Sequence, residues 1–154
     1  MRRIRKKFKK PRLPWDTERI KSERSVIKEY GLRKKKEILL AEAVLRSFRH
    51  RARELIAVKN PEAEKVLMNK LLKLGILTEK GAGLDDVLTM TIKNILERRL
   101  QTIIFRKGFG KTPKQARQLI VHGKVRIDNR RVKYPSLIVP IGDEGKIEAD
   151  KLGK

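Results

Sequence analysis

Between Leu96 and Val132 the chain reads LERRLQTIIFRKGFGKTPKQARQLIVHGKVRIDNRRV, which packs two short apolar helix patterns, a Gly-punctuated turn and a hairpin signal into one stretch. Eleven of these residues are Lys or Arg, opposed only by Glu97 and Asp128. Such a unit must fold on a narrow apolar stripe while carrying charge that it cannot cancel internally. A polyanionic partner is the simplest source of the missing countercharge, and the arrangement favours structured RNA.

The local signals within this stretch are specific. A helix is predicted from about Lys93 through Ile95, Leu96, Leu100, Ile103 and Ile104 to a break at Gly108. Thr112, Pro113 and Gln115 form a second start signal, in which the threonine oxygen caps, proline presets the first turn and glutamine reaches back as in a capping box. Ala116, Leu119 and Ile120 give that helix its apolar side, and Gly123 ends it. Short extended runs follow at 124–127, 130–133, 137–139 and 146–148, with a tight turn at Asp128 and Asn129 and another over Gly142 to Gly145.

Upstream, eight basic residues lie among the eleven from Arg2 to Arg12, and Pro11 and Pro14 close the run. A segment of this composition buries too little surface to order itself and is expected to fold only on its partner. Asp16 is placed to cap a helix to about Tyr30, which Gly31 ends in a left-handed conformation. Ile38, Ala41, Leu45, Phe48, Ala52 and Leu55 then recur at spacings of three and four, one apolar stripe, with Arg46, Arg49, His50 and Arg53 largely off it. Asn60 and Pro61 open a further helix that Gly75 stops, and Leu84 begins another after a glycine-rich link at Gly81 to Gly83. The expected class is α+β, with a basic tail over 1–15, a helical region over 16–92, a two-helix module with a small antiparallel sheet over 93–150, and a short tail over 151–154.

Charge separates these parts. The 154-residue chain carries 41 Lys and Arg against 18 Asp and Glu, a formal net charge of +23. Residues 1–60 carry net +14, residues 61–95 are neutral and residues 96–154 carry net +9. Self-repulsion of this size destabilises the isolated compact state, so a permanent anionic partner relieves a real cost. No apolar run approaches the ~18 residues of a membrane span, and the basic N-terminus lacks the apolar core of a signal peptide, so an intracellular protein is expected. With no cysteine there are no disulfides, thiolate zinc sites or cysteine nucleophiles, and His50 and His122 lie far apart.

Catalysis finds no anchor. Gly110-Lys111-Thr112 suggests a phosphate loop, but that motif needs a glycine where Phe105 stands and a strand where a helix pattern leads in. Gly108 and Gly110 instead suit a tight turn, and Thr112 a cap. Asp85 and Asp86 are adjacent, pointing about 100° apart on a helix, and suit the charge of a helix start better than a metal. Asp143 and Glu144 read as solvated, and no nucleophile has a base. Phe105 and Phe109 flank the basic turn without forming a paired stacking platform, which points to backbone and shape recognition of a folded, multi-helix RNA.

The candidate contacts are therefore cationic and polar. In the tail they are Arg2, Arg3, Arg5, Lys6, Lys7, Lys9, Lys10 and Arg12, and on the long helix Arg46, Arg49 and Arg53. Around the second start signal they are Arg106, Lys107, Lys111, Thr112, Lys114, Gln115, Arg117 and Gln118. His122, Lys124, Arg126, Arg130 and Arg131 complete the set, with guanidinium forks suited to bidentate phosphate contact. Arg99 borders an apolar stripe and fits a structural ion pair as well as a phosphate contact; His122 fits a helix C-terminus as well as RNA.

LERRLQT at 96–102, FRKGF at 105–109, TPKQARQLIVHGKVRI at 112–127 and RRVKYPS at 130–136 together resemble the RNA-binding module named after the fourth protein of the small ribosomal subunit. Similar modules are appended to pseudouridine synthases, a tyrosyl-tRNA synthetase and a ribosome-rescue heat-shock protein. RIKSERSVIKEYGLRKKKEI at 19–38 and NKLLKLGIL at 69–77 look like the archaeal and eukaryotic branch of the ribosomal family itself, extending the resemblance over nearly the whole chain. That resemblance implies a non-enzymatic primary binder of small-subunit ribosomal RNA at a helical junction of the five-prime domain. It also implies a place beside neighbouring small-subunit proteins along the messenger channel, in the cytoplasmic ribosome, with no membrane, no homo-oligomer and no cofactor. The Cys-rich zinc motif of many bacterial relatives is missing, so no metal is expected. Asp128 and Asn129 stand where many relatives have Asn-Gly, which predicts a looser hairpin turn.

Overall fold

The computed structural model describes residues 7–77 and 83–149. Asp16 caps α1 (Thr17–Tyr30) by accepting from the Glu18 and Arg19 amides at 3.1 and 3.3 Å, and Gly31 ends it at φ 59°. A cap of this kind stabilises by about 1 kcal/mol. The predicted apolar stripe becomes α2 (Lys35–Val58), which buries Ile38, Ala41, Leu45 and Ala52. Asn60 caps α3 (Pro61–Leu74) through the Glu62 and Ala63 amides, and Gly75 closes it at φ 66°. The link at Gly81 and Ala82 lies outside the described residues; beyond it, Asp86 accepts from the Gly83 amide at 2.8 Å to start α4 (Leu84–Thr89), a helix-start role for that carboxylate.

The helix predicted from Lys93 to Gly108 is interrupted. It divides into α5 (Ile92–Glu97) and α6 (Leu100–Arg106), with Arg99 extended at φ −73°, ψ 141°. The segment predicted as a strand at 137–139 joins no sheet and instead meets the chain at this break through one isolated bridge. Leu100 N–H donates to Leu137 O at 2.8 Å, Val139 N–H donates to Arg98 O at 3.0 Å, and Arg99 bridges Ile138. These tertiary bonds replace helical ones, and the Leu96 carbonyl, without Leu100 N–H as its helical donor, accepts from the Thr102 hydroxyl at 2.8 Å and the Arg99 amide at 3.3 Å.

Beyond the turn, α7 (Pro113–Val121) leads through Gly123 at φ 70° into β1 (Val125–Ile127), β2 (Arg130–Arg131) and, after α8 (Ile141–Glu144), β3 (Ile147–Ala149). The sheet is antiparallel with order β2-β1-β3. The predicted turn over Gly142 to Gly145 is mostly this one-turn helix, which packs on α3. Asp128 and Asn129 stand at φ 51° and 62°, so the two-residue hairpin is as tight as with Asn-Gly, and the expected loosening is absent.

Two apolar clusters divide the fold. The first gathers α2 with Tyr30, Leu67, Leu71, Val87, Ile95 and Leu96; the second starts at Leu100 and joins Ile103, Ile104, Leu119, Ile120, Val125 and Ile147. The change of core thus coincides with the helix break at Arg98 and Arg99.

Candidate nucleic-acid interface

Three sets of polar bonds hold the second cluster and its basic surface against the first. Gln101, 1 % exposed, donates to the carbonyls of Tyr30, Gly31 and Pro113 at 3.0–3.1 Å, fastening the end of α1 to the start of α7. Gly31 makes this approach possible, since a Cβ there would lie 2.7 Å from that of Pro113. Arg98 donates to Leu74 O, Val139 O and Glu144 Oε2, each at 3.0 Å, and so ties α3 to α8.

The third set centres on Glu37. Its carboxylate accepts from Arg99 at 2.6 Å, from Arg117 at 3.1 and 3.2 Å, and from the Arg33 amide at 3.2 Å. Burial pushes this carboxyl up, but the hydrogen bonds from Arg117 and Arg99 outweigh it and hold it below the usual carboxylate range. Arg99 is 5 % exposed, so of its two sequence readings the structural ion pair is the one realised. Arg117, expected on the partner-facing surface, is turned into the same cluster, because α2 supplies the Glu37 carboxylate from beneath α7. One guanidinium nitrogen of Arg117 is thus engaged by Glu37, while the side chain stays 23% exposed.

Thr112 and Gln115 are also committed locally. The Thr112 oxygen accepts from the Gln115 amide at 3.2 Å, and the Gln115 side chain accepts from the Lys111 amide at 2.7 Å, one residue earlier than a capping box requires. Arg106 pairs with Glu97 at 2.8 Å at the surface, where such a pair is weak, and Lys107 donates to the Glu144 carbonyl. Lys111, Lys114, Gln118, His122 and Lys124 are exposed around α7.

The hairpin adds a second row. Arg126 lies directly opposite Arg131 on one side and Glu148 on the other, so the three share one sheet face, with Arg130 beside the turn. Like charges opposite each other destabilise a sheet unless an anion sits between or beside them.

The remaining candidates belong to the first cluster. Arg46 and Arg53 are exposed on α2; Arg49 is half-buried and donates to the Met90 carbonyl. Lys7, Lys9, Lys10 and Arg12 are exposed, whereas Arg2, Arg3, Arg5 and Lys6 lie outside the described residues. Among the described residues no cluster of three or more His, Asp or Glu is arranged to hold a metal, and no helix is long and apolar enough to cross a membrane. Glu37, Arg98 and Gln101 escaped sequence reasoning. The one available signal was Gln101 and Thr102, a polar pair set inside the apolar run of α6.

The model of the S4 domain matches residues 98–144, the span from the helix break through α8. The small ribosomal subunit protein uS4 of Saccharolobus islandicus (strain L.S.2.15) is 45% identical over 150 residues, covering 96% of this chain and 83% of that protein. The proteins of the same name from Methanococcus aeolicus and Ignicoccus hospitalis are both 47% identical, covering 95% and 93% of this chain and 84% and 87% of theirs. With 45–47% identity over nearly its whole length, the chain belongs to the uS4 family of small ribosomal subunit proteins.

Proposed function

We propose that this protein is a structural, non-enzymatic constituent of the small ribosomal subunit that binds its ribosomal RNA early and recognises a folded multi-helix junction through backbone and shape contacts. The observation that carries the reading is the charge left uncancelled on a fixed frame. Lys111, Lys114 and Lys124 around α7 and Arg126, Arg130 and Arg131 on the hairpin are exposed, while Glu37 and Glu144, the acids that brace the module, are engaged by Arg99, Arg117 and Arg98. Rigidly placed cations without paired aromatic platforms suit phosphates held at fixed spacing, as in a folded junction.

The helical region and the module act as two cationic arms on that RNA, with the division near residue 93 and the tail before residue 16 ordering on RNA. The relatives' name places them in the small subunit, and the same cytoplasmic setting, beside other small-subunit proteins and with one copy per particle, is the role inferred here. Support for subunit assembly and translation follows from early binding. Hydroxyl-radical footprinting of small-subunit RNA, with and without the protein, tests this. Protection should cluster where several helices of the five-prime domain meet; protection scattered along single helices, or none, would reject junction recognition.

A further inference from the structure

An open groove of about 1000 Å³ runs between the chain at Lys7 to Lys9 and the outer face of α2, with Thr91 and Ile92 at one end. Its chemistry is two-sided. Phe8, Ala43, Leu45 and Ile92 contribute apolar surface, whereas Lys7, Lys9, Arg46, Arg49 and Arg53 bring cations. Arg46, Arg49, His50 and Arg53 follow the i, i+3, i+4, i+7 spacing that aligns side chains along one helix face.

The acids nearby already have partners of their own, by ion pair or hydrogen-bonding distance. Glu42, the acidic residue lining the groove, lies 3.5 Å from Arg19, and Glu54 faces His50 at 3.4 Å along α2. Arg49 is held in the wall by its bond to the Met90 carbonyl, so one cation is fixed before any ligand arrives. Lys36 sits 5.8 Å from the Phe8 ring centre, holding that aromatic against a further positive charge.

We propose that this groove binds a short single-stranded segment of RNA, with bases against the Phe8 and Leu45 floor and phosphates along the Arg46 to Arg53 edge. The proposal rests on the RNA-binding reading above and adds a second mode to it. A duplex keeps its bases stacked inside and offers phosphates alone, which would leave the apolar floor wet. An unpaired strand presents base faces and phosphates together, and stacking on an aromatic is tolerant of sequence. The carboxylate side chains of an acidic peptide would satisfy the cations but bring no aromatic face to the floor.

The full chain is titrated with a fluorescein-labelled oligouridylate and, separately, with a blunt duplex of equal length and with folded five-prime-domain RNA, using anisotropy at several salt concentrations. The strand should bind, and Arg46→Gln with Arg53→Gln should reduce the slope of log affinity against log salt by about 1.4, roughly 0.7 for each phosphate no longer neutralised. Phe8→Leu, which keeps apolar volume but removes the ring, should lower the ratio of strand to duplex affinity by about fivefold or more, the lower end of what base stacking contributes. Circular dichroism checks that the variants fold.

Strand binding indifferent to both changes, an unaltered strand-to-duplex ratio in Phe8→Leu, or displacement of the strand by a poly-glutamate peptide as readily as by unlabelled strand would overturn the groove assignment. Intact binding of five-prime-domain RNA without strand binding rejects the groove alone. Loss of five-prime-domain RNA binding in the unaltered protein rejects the broader reading instead.

Discussion

Replacing Glu37 by Gln keeps the shape of the side chain and removes the charge that Arg99 and Arg117 share. The Arg99 side chain is 6% exposed and Glu37 15%, so water cannot replace the missing partner. Removing one member of a buried pair costs about 3–5 kcal/mol, and because Gln still accepts one hydrogen bond the lower end applies, about 3 kcal/mol. For a chain of this size that lowers Tm by about 6–12 °C. Urea unfolding at neutral pH, followed by far-ultraviolet circular dichroism, measures it. The pH dependence supplies an independent sign. A carboxyl held low in the folded state contributes stability that is present above its unfolded pKa, about 4.3, and is lost as pH falls through the lower folded value. The wild-type protein should therefore weaken across that acid window more steeply than Glu37→Gln does. A double-mutant cycle with Arg117→Gln should give a coupling above about 1 kcal/mol. Additive effects, or a loss below about 1 kcal/mol with an unchanged acid limb, would refute the claim that the Glu37 charge ties α2 to Arg99 and Arg117.

Arg98→Ala strips the Leu74 and Val139 carbonyls of a charged donor and should cost about 3 kcal/mol in chemical unfolding; Arg98→Lys should recover little, because an ammonium lacks the fork geometry. Gly31→Ala combines left-handed strain with a 2.7 Å clash on Pro113 and should cost about 2–4 kcal/mol, whereas Gly108→Ala, at φ 76° with open space around it, should cost about 1–2 kcal/mol, so equal losses in thermal melts would contradict the close approach. Changing Asp128 and Asn129 to Asn-Gly should stabilise by about 0.5 kcal/mol, since glycine accepts the positive φ without strain; destabilisation would mean that the hairpin draws something else from those side chains.

What could be read from sequence was set by local physics. Asp16, Asn60, Thr112 and the glycines at 31, 75 and 123 mark helix ends because a cap or a left-handed residue acts within a few positions of itself. The unbroken helix through Arg98 and the strand at 137–139 share one failure. The apolar repeat continues across Arg98 and Arg99, and nothing nearby announces that residues some forty positions later will claim those backbone groups. Which of the candidate cations pair within the protein was hidden for a similar reason. Composition identifies an excess of cations, but which of them finds a carboxylate depends on Glu37 arriving from another helix, so Arg117 could not be separated from Lys114 by spacing alone.

The salt dependence of binding to folded five-prime-domain RNA tests the central claim most directly. If exposed cations on α7 and the hairpin neutralise about six phosphates, affinity should fall about 10³-fold between roughly 50 and 200 mM salt. Lys114→Ala with Arg126→Ala should then reduce the log–log slope by about 1.8, roughly 0.9 for each phosphate. A shallow slope in the wild-type protein, or one that this double substitution leaves unchanged, would contradict recognition through the phosphate backbone.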